Sequence, residues 1–138
     1  MARIEVLISG YVRTQVVVSD KDIDSPVVEN PDFFCAMSKA AYQKFSHMVD
    51  RGILIYDPGF VEPDESLPCH QIAISARELS AEHFGKELFA NMILYGYLIQ
   101  KLNGKIDREK ALEAMEQRIP RALEENKKAF ELGFSFKV

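Results

Sequence analysis

From Phe33 to Tyr56 the chain reads FFCAMSKAAYQKFSHMVDRGILIY. Phe33 to Met37 is a short apolar run announced by Asn30-Pro31-Asp32, which predicts a buried strand. Ser38 has the chemistry of an N-cap, because its hydroxyl can accept a bond from a free amide of the first helical turn. The spacing of Ala41, Phe45, Met48 and Val49 predicts a helix over 39–49 with one apolar face, closed by Gly52 at the C′ position. Ile53 to Tyr56 is a second apolar run of strand length. A strand, a helix and a strand joined by short links argue for parallel pairing, since parallel neighbours need a crossover.

Toward the N-terminus, Ile4-Glu5-Val6-Leu7-Ile8 predicts a buried strand that ends at Ser9-Gly10. Tyr11 to Val18 reads as a second strand, and Ser19 to Pro26 as an acidic loop. Toward the C-terminus, an acidic loop over 57–68 contains Pro58, Pro63 and Pro68 and carries Phe60 as an exposed aromatic. A strand follows at Gln71–Ile74, then a mixed segment with Glu78, His83 and Gly85. The strongest helix runs over 87–102, with Leu88, Met92, Tyr95, Ile99 and Leu102 as its apolar stripe and Asn91 inside that stripe. A buried Asn91 amide would need partners, since leaving it unsatisfied costs about 1–3 kcal/mol. Asp107 caps a helix reaching Arg118, and Pro120 opens another that ends near Gly133. The expected architecture is α/β, in three layers, with a mostly parallel sheet and a C-terminal helical extension, all in one domain over 1–138.

Composition narrows the function. The 138 residues are 47% hydrophobic and 28% charged, which excludes a disordered tail. No apolar run matches a bilayer span, and no apolar leader precedes the first strand. The net charge is −4. Basic residues sit beside acidic ones, as in Glu124 with Lys128 and Lys127 with Glu131, so no nucleic-acid-binding face is expected. Cys35 and Cys69 are too few and too far apart for a zinc or iron–sulfur site, and Cys35 reads as a packed hydrophobe. Unpaired cysteines and the missing leader point to the cytoplasm. His47, His70 and His83 lie at no metal-ligand spacing. The sequence holds neither a G-x-S-x-G elbow nor a P-loop lysine, so no nucleophile–base pair can be assembled.

The junction at Gly10-Tyr11 stands out. A first strand ending in glycine is where α/β folds seat a phosphate, yet a second strand follows at once with no helix to supply the dipole. The literal reading is an antiparallel hairpin, although Gly10-Tyr11 is a poor turn pair.

Arg13-Thr14-Gln15-Val16-Val17-Val18-Ser19-Asp20, Ile23-Asp24-Ser25-Pro26 and Asn30-Pro31-Asp32 together resemble the gamma subunit of 2-oxoacid:ferredoxin oxidoreductases. Gly52-Ile53-Leu54-Ile55-Tyr56-Asp57 and Ala90 through Gly96 are similar to the same family. So are Arg118-Ile119-Pro120, Glu125-Asn126 and Ala129 through Gly133. The match runs nearly the whole chain in order, and the succession is more specific than any one motif.

The resemblance implies a Rossmann-like subunit of an enzyme that oxidatively decarboxylates a 2-oxoacid, 2-oxoglutarate or pyruvate, to an acyl-CoA and carbon dioxide. It implies alpha, beta and ferredoxin-like delta subunits as partners, and ferredoxin as electron acceptor. Thiamine diphosphate, iron–sulfur clusters and coenzyme A belong to the complex, and none is bound by this chain alone. Neither nucleic acid nor membrane is a partner. Relatives carry a glycine-rich phosphate loop, a helix, a strand and an arginine–glycine turn between the segments matching Gly10 and Tyr11, so a segment is expected there that this sequence does not contain. On the resemblance, Ser9 and Gly10 are the stump of the phosphate loop, and Arg13 contacts phosphate or a partner. Asn91 is an orienting amide. No residue is expected to transfer a proton or attack substrate. Phe60 and the helix of Asn91 are the expected docking points for partners. The alternative is a stand-alone small-ligand-binding module of the same fold.

Overall fold

The computed structural model describes the backbone of residues 2–9, 12–25, 27–102 and 104–138, and the side chains of these except residues 2, 3, 5–9 and 12. Gly10 and Tyr11, and with them the segment expected at that junction, lie outside the described residues. The chain forms two compact units, Met1–Ser75 and Ala76–Val138.

The first unit is a five-stranded sheet. Its strands are β1 (Ala2–Ser9), β2 (Val12–Val18), β3 (Phe33–Ala36), β4 (Ile53–Tyr56) and β5 (His70–Ala73), in the spatial order β2-β1-β3-β4-β5. β1, β3, β4 and β5 are parallel, with Val6 opposite Cys35, Cys35 opposite Ile55 and Ile55 opposite Ile72. β2 pairs antiparallel with β1, with a register shift between Leu7 and Ser9, which is the strand direction of the literal reading. The α/β class and the mostly parallel sheet agree with the reading of 33–56.

Ser38 caps α1 (Lys39–Phe45) as predicted, its Oγ accepting from the Ala41 amide at 3.1 Å. The helix is shorter than expected. After Phe45 the chain tightens into a 3₁₀ turn over Ser46–Met48, so Gly52 is not its C′ residue. Gly52 is needed for another reason: a Cβ there would overlap the carbonyl oxygens of Pro31 and Asp32. Phe34, Ala36, Tyr42, Val49, Leu54, Tyr56 and Val61 form the core of this unit. Phe60 packs half-buried against that core, which corrects its reading as an exposed aromatic. A phenyl ring four residues beyond the buried end of β4 gains more from that core than from water.

Cys35 is buried, and burial pushes its thiol from the ordinary 9.0 up to about 12. A raised acid pKa favours folding fully below the unfolded value near 9, and that contribution is lost as the pH climbs toward 12. Between pH 8 and 10 the wild type is therefore expected to lose about 1.4 kcal/mol more stability than Cys35→Ala. Urea midpoints at the two pH values check this, and equal losses in the two proteins would refute it.

The second unit is all helical, with α2 (Ala76–Phe84), a 3₁₀ turn (Glu87–Phe89), α3 (Ala90–Lys101), α4 (Arg108–Arg118) and α5 (Leu123–Phe134). α2 occupies the segment whose sequence reads as mixed. Ser80 anchors its end: the buried Oγ donates to the Lys86 carbonyl at 2.6 Å and accepts from the Phe89 amide at 3.1 Å. Asp107 caps α4 through the Glu109 amide, as predicted. α5 begins only after Ala122, which holds φ 50°, ψ 42°, so Pro120 precedes the helix rather than opening it.

The buried face of α3 differs from the predicted stripe. Ile93, Leu94, Gly96, Tyr97, Leu98 and Ile99 are buried, whereas Leu88 is 67% exposed and Asn91 lies in solvent. The 3₁₀ turn at 87–89 breaks the 100° phase on which the stripe was counted, and a helix apolar nearly all round is a central helix rather than a half-covered one. α3 packs on α5 at two glycines. A methyl group at Gly96 would overlap the Phe130 carbonyl oxygen, and one at Gly133 the Ile93 carbonyl oxygen. Gln100 Nε2 donates to the carbonyls of Phe134 and Phe136, which ties the end of α5 to α3. The surface pairs also differ from expectation: Lys127 bonds Glu116 at 2.6 Å, and Glu131 bonds Arg108. Bridges between helices replace the pairs expected within one.

Candidate functional site

In an open parallel sheet, ligands lie beyond the carboxyl ends of the strands where strand order reverses. Here the chain leaves β1 for β2 on one side and returns to β3 on the other, so the reversal falls between β1 and β3. Leu7 and Ala36 are register partners near that edge. Ser9 ends β1 there, with Val12 as its register partner. Arg13 is on β2, exposed, with its guanidinium 5.4 Å from the centre of the Phe45 ring.

The same edge continues past β3 and β4 into a cleft of about 480 Å³ lined by Lys39, Tyr42, Gln43, Glu62 and Asp64. One wall is α1, started by the Ser38 cap. The other is the loop after β4, started by Asp57. Asp57 is buried; its Oδ1 accepts from the Gly59 amide at 2.8 Å, and its main-chain oxygen accepts from Val61 at 3.1 Å. This turn chemistry brings Val61 under the core and leaves Glu62 and Asp64 facing α1.

Tyr42 joins the walls. Its hydroxyl donates to Gln71 Oε1 at 2.6 Å and accepts from the Asp64 amide at 2.8 Å, while Gln71 Nε2 donates to the Asp64 carbonyl at 2.6 Å. One closed network thus fixes α1, the loop and β5. Desolvation by burial raises the Tyr42 pKa, so the phenol keeps its proton and acts as a strut. Ser66, bonding through its hydroxyl and its amide, holds the Asp64 carboxyl below the usual carboxylate range. The cleft therefore presents one ammonium, two carboxylates and amide groups, which suit binding by hydrogen bonds and charge. Tyr42→Phe is expected to cost about 1–2 kcal/mol and to speed amide exchange in residues 60–67, because the Asp64 amide and Gln71 both lose a partner. Hydrogen exchange measures it, and unchanged rates across that loop would refute it.

Of the residues singled out in the sequence, Ser9 ends β1, one of the two strands at the reversal point, and Arg13 lies on β2, the edge strand on the far side of β1. Gly10 is outside the described residues. Asn91 is in the second unit, exposed, with its Oδ1 accepting from the Met92 amide at 2.9 Å, so no buried amide needs a partner there. Tyr42, Asp57 and Gln71 were missed. An aromatic on the buried face of a helix and a glutamine in a strand carry no signal of their own until the fold sets them 2.6 Å apart. Asp57-Pro58-Gly59 did carry turn chemistry.

Cys35 and Cys69 do not fit an iron–sulfur cluster. The chain has two cysteines in total, and burial raises both thiols above their ordinary value. Among the described residues no group of three or more His, Cys, Asp or Glu could hold a metal ion. No helix among them is long and apolar enough to cross a membrane.

Comparison with known proteins adds the rest. The chain is 35% identical over 126 residues to the 2-oxoglutarate synthase subunit KorC of Archaeoglobus fulgidus, a match covering 91% of this chain and 63% of that protein. It is 33% identical over 132 residues to the KorC subunit of Methanothermobacter thermautotrophicus, covering 90% and 69%. The gamma subunit of a keto/oxoacid ferredoxin oxidoreductase from Geobacter sulfurreducens superposes with a TM-score of 0.68 at 28% identity, over 75% of this chain and 62% of that one. The chain thus spans a little under two-thirds of the length of the Archaeoglobus protein. The family profile of pyruvate ferredoxin/flavodoxin oxidoreductases matches residues 8–136, and the chain belongs to that family.

Proposed function

We propose that the chain is the gamma subunit of a 2-oxoglutarate:ferredoxin oxidoreductase. The observation that carries this is the identity to 2-oxoglutarate synthase subunits over nine-tenths of the chain. In that reaction the bond between the 2-oxo carbon and the carboxylate breaks to release carbon dioxide, and the acyl carbon joins the coenzyme A sulfur. The thiol proton is released, and two electrons pass to ferredoxin. Thiamine diphosphate and the iron–sulfur clusters supply the carbanion and electron chemistry from the alpha, beta and ferredoxin-like subunits, in keeping with a cysteine set that does not fit a cluster.

This chain contributes scaffold and contacts. Ser9 at the end of β1, Gly10 next to it in the sequence and Arg13 on β2 are the residues we assign to coenzyme A phosphate or to a neighbouring subunit. Asn91, in solvent on α3, is assigned to a subunit contact. A second reading, a small-ligand-binding module acting alone, draws on the 480 Å³ cleft.

Affinity purification of the tagged chain from its native host tests both readings. Co-purification of larger subunits with iron and thiamine diphosphate, and coenzyme A-dependent reduction of ferredoxin or a dye by 2-oxoglutarate, are expected. A colourless monomer without partners would overturn the subunit reading in favour of the binding module. Turnover of pyruvate but not 2-oxoglutarate would overturn the substrate assignment alone.

A further inference from the structure

β2 closes one side of the sheet, with β1 as its neighbour on the inside and no strand beyond it among the described residues. Its seven residues, VRTQVVV, contain no proline and a single charge, Arg13, which lies over the Phe45 ring. Folded proteins ordinarily blunt such an edge with lysines, prolines, bulges or a very short strand, because unpaired amides and carbonyls template another strand. The register shift between Leu7 and Ser9 is the one such device, and it sits at the start of the strand. Val16 is 43% exposed, and Ile23 and Val27 in the loop that leaves β2 are exposed as well.

That loop is also charged. Asp20, Asp22 and Asp24 are exposed, with Lys21 as the one cation among them. Among its described residues, Ser19 Oγ accepts from the Lys21 amide at 3.0 Å, Ser25 Oγ accepts from the Val27 amide at 3.2 Å, and Gln15 Nε2 donates to the carbonyl of buried Val28. The three carboxylates thus follow closely in sequence on the end of β2 at Val18.

We propose that the outer edge of β2 receives an extended segment of a partner subunit bearing lysine or arginine at alternate positions. The inference rests on the reading of this chain as a subunit. Main-chain bonds to β2 supply the pairing, Val16 takes an apolar cross-strand neighbour, and the carboxylates select the cations. A second copy of this chain fits poorly, since its β2 brings one cation, Arg13, to three carboxylates.

The test uses the complex captured from the native host by the tagged chain. Amides of 12–18 are expected to exchange at least tenfold more slowly in the complex than in the isolated chain. Carboxyl-to-lysine cross-links from Asp20 or Asp22 are expected to reach a lysine-bearing extended segment of one subunit. Val16→Lys, which sets a like charge against that segment, is expected to weaken assembly at least tenfold, while Val16→Thr keeps it. The triple variant Asp20→Asn, Asp22→Asn, Asp24→Asn is expected to weaken assembly and flatten its salt dependence. Circular dichroism confirms that each variant is folded, and an exposed position leaves Val16→Lys room to fold.

Full assembly by both the Lys and the triple Asn variants would overturn the inference and leave the subunit reading standing. Absence of any partner for the wild type would overturn both. A homodimer joined through β2, or a native chain heavier than 15.7 kDa whose added residues pair with β2, would overturn the inference alone.

Discussion

Gly133→Ala is expected to lower stability by about 3 kcal/mol, and Gly96→Ala by as much. At each position the added methyl group would overlap a backbone carbonyl of the facing helix, Ile93 in one case and Phe130 in the other. A backbone oxygen cannot swing aside as a side-chain tip can, so α3 and α5 would have to separate. Separation loosens Phe130, Ala129 and Ile93, all fully buried, and strains the bonds from Gln100 to the carbonyls of Phe134 and Phe136. The double variant should cost less than the sum, because one separation relieves both overlaps. Thermal melts should show a drop of about 10 °C for either single variant. A shift under about 2 °C would mean that the crossing is looser than the structure shows.

Phe34→Ala is expected to cost about 3–5 kcal/mol. Phe34 is fully buried in the centre of β3, between Glu5 of β1 and Leu54 of β4, and its ring belongs to the core that carries Tyr42, Tyr56 and Val61. The cavity would lie beneath both walls of the cleft. Denaturant midpoints measure the loss, and Phe34→Leu should recover more than half of it, since most of the volume returns. A loss below about 1 kcal/mol for the alanine variant would mean that the site collapses around the gap.

β1 to β4 were legible because each is rich in β-branched or aromatic residues, and the crossover at 33–56 decided the parallel direction of β3 and β4. The Ser38 and Asp107 caps were legible because one side chain and one nearby amide define them. Helix phase was not legible at Leu88 and Asn91. A stripe counted at constant 100° fails when a 3₁₀ turn intervenes, and that turn depends on Ser80 bonding to Lys86 and Phe89 across the end of α2. The cleft was half legible. Asp57-Pro58-Gly59 announces a turn, but the Tyr42–Gln71–Asp64 network joins residues up to 29 positions apart and exists only once β4 and β5 are in register. Phe60 shows the same limit, since a loop aromatic reads as exposed until the core beneath it is known.

The residue ahead of α5 has a wider meaning. Ala122 holds a left-handed backbone that a side chain disfavours by about 1 kcal/mol, and glycine or asparagine would hold it at lower cost. A chain that keeps alanine there is not at its thermodynamic optimum. It sits where drift leaves most proteins, a modest distance above the threshold below which too few molecules stay folded.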